Sequence, residues 1–94
     1  MIRQTVVVKN QLGLHARAAA KLVRLASRFS SEIHLAREGL AEQIDSKSIL
    51  GILMLAASTG TRIEVSVSGE DETEATQAIV RLFEDRFGEN GALE

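Results

Sequence analysis

Arg62-Ile63-Glu64-Val65-Ser66-Val67-Ser68 alternates strictly, with Ile63, Val65 and Val67 on one face and polar residues on the other. A period of two marks a strand with one buried face, and Gly69 breaks it. The period then changes. Asp71 and Glu74 open a stretch in which Ala75, Ala78, Ile79, Leu82 and Phe83 recur every three or four residues, which predicts a helix. A strand apolar on one side, followed by a helix apolar on one side, is satisfied by one helical layer against one face of a sheet.

Reading outward from this unit, Ile2-Arg3-Gln4-Thr5-Val6-Val7-Val8 is β-branched and predicts a first strand. Asn10-Gln11-Leu12-Gly13 is turn chemistry. Ala19, Leu22, Val23, Ala26 and Phe29 then form one face of a helix expected from about Ala16 to Arg28. Glu32-Ile33-His34-Leu35-Ala36 predicts a second strand, with His34 on its polar side as a surface histidine. Arg37-Glu38-Gly39 turns into a short strand near Glu42 to Asp45. A second helix starts at Ser46 or Ser48 and carries Ile49, Leu50, Ile52, Leu53 and Leu55. That helix is apolar on nearly every side, so either it is sandwiched or part of it is a docking surface. Ile52 and Leu55 are assigned to the core, and Ile49, Leu50 and Leu53 either pack there too or form the apolar centre of a docking patch.

The resulting order, β-α-β-β-α-β-α, gives the fold class α+β. The expected architecture is a two-layer open-faced sandwich: a four-stranded antiparallel sheet with three helices on one face. Residues 1–88 are expected to form one domain and residues 89–94 a flexible C-terminal tail.

Composition narrows the function. The 94 residues are 45% hydrophobic and 26% charged, the balance of an ordinary globular domain. The absence of cysteine excludes disulfides, a thiol nucleophile and thiolate metal ligation, and is compatible with a reducing, cytoplasmic setting. Met1-Ile2-Arg3-Gln4 lacks the layout of a signal peptide, and no apolar run reaches the ~20 residues of a membrane span, so no membrane insertion is expected. With three Phe and no Trp or Tyr there is no stacking platform for bases, and no nucleic acid partner is expected. Two histidines without a carboxylate cluster make no metal site. Charge is asymmetric: Asn10 to Ser31 holds four basic residues (Arg17, Lys21, Arg24, Arg28) and no acid, whereas Glu70 to Glu94 holds eight acids and two bases. The first region attracts anions or an acidic protein face.

Chemistry concentrates where the first loop becomes the first helix, at Gly13-Leu14-His15-Ala16-Arg17. His15 falls at or beside the N-cap, next to backbone N–H groups that the helix leaves free. The helix dipole there favours the neutral, nucleophilic ring. A phosphoryl group on that ring would meet the N–H groups of Ala16 and Arg17, with a guanidinium alongside. No carboxylate lies in the segment. A neutral imidazole attacking an activated phosphoryl donor needs no general base, only positioning and charge stabilisation. Ser48 is expected to cap the second helix, with Ser46 as the competing cap.

Gly13-Leu14-His15-Ala16-Arg17-Ala18-Ala19 resembles the active-site motif of the HPr family, the histidine-containing phosphocarriers of the bacterial phosphoenolpyruvate-dependent phosphotransferase system. Ser46-Lys47-Ser48-Ile49-Leu50-Gly51 resembles the same family's regulatory serine segment. The resemblance covers nearly the whole chain, and the run Leu53-Met54-Leu55-Ala56-Ala57 and the ending Asp85-Arg86-Phe87-Gly88-Glu89 look most like proteobacterial members. Many members have proline where this chain has Ala18, a change that removes rigidity from the first helical turn but no reactive group.

The resemblance implies a phosphocarrier without turnover of its own and with no cofactor. His15 would be phosphorylated by enzyme I and would deliver the group to enzyme IIA, with Arg17 stabilising it. Ser48 would be the target of an HPr kinase/phosphorylase. Arg24, Lys47, Ile49, Leu50 and Leu53 would form the docking surface of a protein expected to be a monomer. The family also includes a paralogue devoted to nitrogen signalling, and that choice stays open. An alternative of a different class is a small ferredoxin-like regulatory ligand-binding domain, which would have no reactive histidine.

Overall fold

The computed structural model describes residues 1–89. Strands β1 (Ile2–Val7), β2 (Glu32–Arg37), β3 (Ile44–Asp45) and β4 (Arg62–Ser68) form one sheet in the order β1-β4-β2-β3, with every pairing antiparallel. Helices α1 (Ala16–Ala26), α2 (Ile49–Met54) and α3 (Glu72–Glu84) complete the β-α-β-β-α-β-α order, and a short 3₁₀ turn, Arg86–Gly88, follows. The architecture is the expected four-stranded antiparallel sheet with three helices.

The alternation in β4 explains why it sits centrally. Ile63, Val65 and Val67 are fully buried and lie opposite Arg37, Leu35 and Ile33 of β2 on one side and Val6, Gln4 and Ile2 of β1 on the other. Above this surface pack Ala18, Ala19, Leu22 and Ala26 of α1, Ile52 of α2, and Ala75, Ile79 and Phe83 of α3. Burying so many aliphatic side chains, at roughly 25 cal/mol per Å² of apolar surface, is what holds the two layers together. Ala18 is fully buried in this layer.

Two boundaries and one buried stripe differ from expectation. Helix α1 stops at Ala26 rather than Arg28 because the chain must reverse into β2. Arg28 and Phe29 instead donate to carbonyls three residues back (Leu25 and Ala26). The Asp71 carboxylate, from the start of α3, accepts the N–H groups of Ser30 and Ser31 in the same turn. Strand β3 shrinks to two residues, after which Ser46 N–H still bonds to Ile33 O at 2.9 Å. Along α3 the buried stripe includes Thr76, whose hydroxyl is satisfied by Glu72 O at 2.7 Å, while Ala78 and Leu82 are only half-buried.

Residue 89 was expected to begin the flexible tail. Its side chain is instead buried, only 3% exposed, and bonded to the loop before α1. The rest of the expected tail, 90–94, lies outside the described residues.

Candidate active site at the start of the first helix

The site is built on a loop that only glycine permits. Gly13 has φ of +72°, and a Cβ there would lie 2.5 Å from the Ala57 carbonyl oxygen, which in turn accepts the Leu14 N–H at 2.9 Å. Asn10, fully buried, closes the loop from inside, its side-chain amide donating to Gly13 O at 2.6 Å. Leu14 is then driven into the core and His15 is turned outward.

His15 is the N-cap of α1, with extended backbone (φ −79°, ψ −178°). Its Nδ1 accepts the backbone N–H of Arg17 at 3.3 Å, taking the role usually filled by a Ser or Asp oxygen. Its Nε2 lies 2.6 Å from Glu89 Oε2. Since an N–H donates to Nδ1 and a carboxylate can only accept from Nε2, both contacts select the same species, the neutral ring with its proton on Nε2. The Nδ1 lone pair therefore faces the helix N-terminus. Ala16 and Arg17 are exposed there, on the surface where the sequence motif puts them.

Glu89 is 74 residues from His15 in sequence and reaches it through an unusual turn. Arg86, Phe87 and Gly88 have φ of 56°, 55° and 76°, three consecutive left-handed residues, two of which are not glycine. That conformation is held from both sides. Phe87 is fully buried with its ring edge-on to Phe83 at 4.9 Å, and Lys21 Nζ donates to Phe87 O at 2.5 Å. Asn10 finishes the connection by donating to Glu89 Oε1 at 3.3 Å. Sequence reading missed both Asn10 and Glu89. Phe87, an isolated aromatic beyond the end of the last apolar stripe, was the one signal that the chain was still packed there.

Ser48, not Ser46, caps α2: its Oγ accepts Gly51 N–H at 3.2 Å, whereas Ser46 is fully buried with its hydroxyl unpartnered among the described residues. Ile49, Leu50, Leu53 and Met54 are exposed by 45%, 65%, 38% and 71%, while Ile52 is fully buried and Leu55 nearly so. This divides the apolar helix into a core side and an open patch. Helix α2 packs against α1, the helix that carries His15 at its start and the exposed Arg17 and Arg24 along its length. Lys47 is drawn partly inward, its Nζ donating to Phe29 O at 2.9 Å. His34 is half-buried in the sheet, opposite Asp45 and Ser66. Among the described residues no helix is long and apolar enough to cross a membrane.

Comparison with known proteins gives the same answer as the motif. Residues 2–85 match the family model described as the PTS HPr component phosphorylation site. The chain is 49% identical over 90 residues to the phosphocarrier protein HPr of the proteobacterium Xylella fastidiosa (strain 9a5c), covering 96% of this chain and 99% of that one. Its fold superposes on a crystal structure of HPr from Thermoanaerobacter tengcongensis with a TM-score of 0.89, 43% identity and coverage of 96% and 99%. A crystal structure of an HPr dimer from the same organism superposes with a TM-score of 0.73, 44% identity and coverage of 95% and 100%. With the N-cap histidine, the sheet order and these matches over almost its whole length, the chain belongs to the HPr family of phosphocarrier proteins of the phosphotransferase system.

Proposed function

We propose that His15 is the phosphorylated residue, taking its phosphoryl group from phosphorylated enzyme I and passing it to a histidine on enzyme IIA. The observation that carries this reading is the ring's orientation: the Nδ1 lone pair points at the N-terminus of α1 and Nε2 is already occupied. Attack uses that lone pair, so the Arg17 N–H loses the imidazole as acceptor and is free for a phosphoryl oxygen. Ala16 and Arg17 are both exposed, so the Ala16 N–H at the helix start and the Arg17 guanidinium are available to the incoming group. A group held at such an open site can be passed on. The protein is a carrier with no turnover of its own, working in the cytoplasm as a monomer and using no cofactor.

Partners dock on Ile49, Leu50 and Leu53, with Arg17 and Arg24 steering acidic faces towards them and Lys47 contributing through its stem. Ser48 is the regulatory phosphorylation site for an HPr kinase/phosphorylase. Its phosphate would stand at the edge of the exposed patch, adding negative charge where an acidic partner docks.

The test is incubation with enzyme I, Mg²⁺ and phosphoenolpyruvate, followed by intact mass at neutral and acidic pH. One added phosphoryl group, lost in acid and absent from His15→Ala, is the expected result. Unchanged mass, or labelling that persists in His15→Ala, would overturn the assignment.

A further inference from the structure

We propose that Glu89, held by Asn10, is a positioning residue for phosphoryl transfer: its carboxylate fixes the proton on Nε2 of His15 and neutralises the ring once Nδ1 is phosphorylated. This rests on His15 being the phosphoryl acceptor. Three observations carry it. The carboxylate oxygen lies 2.6 Å from Nε2, on the opposite side of the ring from the nucleophilic Nδ1. The Glu89 side chain is only 3% exposed against 26% for His15, so the contact is shielded from water where a charge-assisted hydrogen bond is strong. Asn10 is buried with both its N–H bonds committed, to Gly13 O and Glu89 Oε1, while its Oδ1 has no partner among the described residues. An amide that leaves its own carbonyl unsatisfied to donate twice is oriented for the acceptors it serves, and one of these is the carboxylate.

The chemistry balances without a proton leaving the site. The nitrogen–phosphorus bond of the donor phosphohistidine breaks and its electron pair returns to the donor ring. The Nδ1 lone pair of His15 forms the new bond to phosphorus, and the proton stays on Nε2. The ring becomes a phosphoimidazolium, and its positive charge develops against Glu89 Oε2. Delivery reverses each change: the Nδ1–phosphorus bond breaks, the pair returns to Nδ1 and the neutral ring with its Nε2 proton is restored. The carboxylate thus favours the phosphorylated carrier over the free one and moves the phosphoryl equilibrium from donor to carrier.

A purely structural Glu89, tying down the turn after α3, would have no such effect. Full-length Glu89→Gln removes the charge while its amide oxygen still accepts from Nε2, but its NH2 then faces the NH2 of Asn10. Asn10→Ala, which loses that bond and keeps the carboxylate, is the control and is expected to retain the wild-type transfer equilibrium. Single-turnover transfer from phosphorylated enzyme I is measured over a range of carrier concentrations, together with the position of the transfer equilibrium. Expected for Glu89→Gln are a saturating rate about tenfold lower and an equilibrium shifted about tenfold towards enzyme I, the difference between a charge-assisted and a neutral hydrogen bond. The half-saturating concentration stays unchanged, since Glu89 is buried behind the ring. Glu89→Ala is expected to show at least as large a loss; should it fail to fold, Glu89→Gln decides alone. Wild-type rate and equilibrium in Glu89→Gln, or a defect confined to Glu89→Ala, would overturn the proposal and leave Glu89 a structural tie. Failure of the wild-type chain to accept a phosphoryl group at all would overturn the carrier reading itself, a distinct result.

Discussion

At the start of α1 an imidazole nitrogen accepts the backbone N–H of Arg17, and at the start of α2 the hydroxyl of Ser48 accepts that of Gly51. Both caps have extended backbone and both spare the helix a free donor. What differs is the far side of the capping group. Ser48 is exposed, and its hydroxyl has no second hydrogen-bond partner among the described residues, whereas behind His15 there is a buried carboxylate fixed by a buried amide. On the proposed function, the same backbone device is a reactive element at His15, where the capping ring is also held from behind. A capping group becomes chemistry only when its other end is held and its proton is assigned.

The comparison is most sharply broken by His15→Ala. Phosphoryl acceptance is expected to be lost entirely, read by intact mass. Stability also falls, because Glu89 is left buried without its ring partner, a loss of about 1–3 kcal/mol measured by denaturant unfolding. An exposed cap by itself contributes little stability, so this loss is set by the buried carboxylate behind the ring. The double variant with Glu89→Ala is expected to lose less than the sum of the two single changes, since the two side chains share one interaction. Next in size is Ser48→Asp. Aspartate caps as well as serine, so melting is expected to change little, while transfer from enzyme I slows about tenfold through charge beside Ile49, Leu50 and Leu53. Transfer at the wild-type rate would remove the patch from the docking surface.

Ser48→Ala reverses the pattern. It removes the oxygen and leaves the patch uncharged, so transfer is expected to stay at the wild-type rate. Stability drops by about 1 kcal/mol, a shift of roughly 4–8 °C in a domain of this size. Equal losses of transfer and stability in this variant would mean that the two caps do not divide as described.

How much of this was readable from the chain depends on the distance between partners. Ile63, Val65 and Val67 declare their strand by local period, and Leu22 and Ala26 their helix, because burial on one face repeats within a few residues. His15 and Ser48 are legible for the same reason: a cap is defined by its immediate neighbours. Glu89 is not, since nothing within ten residues of it records that Asn10 and His15 are waiting. The turn that delivers it depends on Phe87 finding Phe83 and on Lys21 holding a carbonyl 66 residues away. The open side of α2 falls between these cases. Its all-round apolarity fits a sandwiched helix as well as a partly exposed one; Ile52 was assignable to the core, but only the packing shows that Leu50 faces outward.

A third helix start tests how general the division is. Asp71 stands at the N-cap of α3 but makes no side-chain cap there; its carboxylate instead accepts from the Ser31 hydroxyl and the N–H groups of Ser30 and Ser31, across the sheet end from its own helix. The Ser31 hydroxyl, followed by the Ser30 N–H, holds this carboxyl below its ordinary value of 3.8. A group that is more acidic folded than unfolded contributes stability above the unfolded value and loses it as pH falls through the folded one. Asp71→Asn is therefore expected to be less stable than wild type at neutral pH by a small, constant margin. The two unfolding curves should converge as pH falls below about 4. A margin that persists unchanged into acid would mean that the asparagine fails on shape rather than charge. Asp71 would then belong with Ser48, as a group whose hydrogen-bonding geometry is its whole contribution, and His15 would be the only helix start of the three at which charge matters.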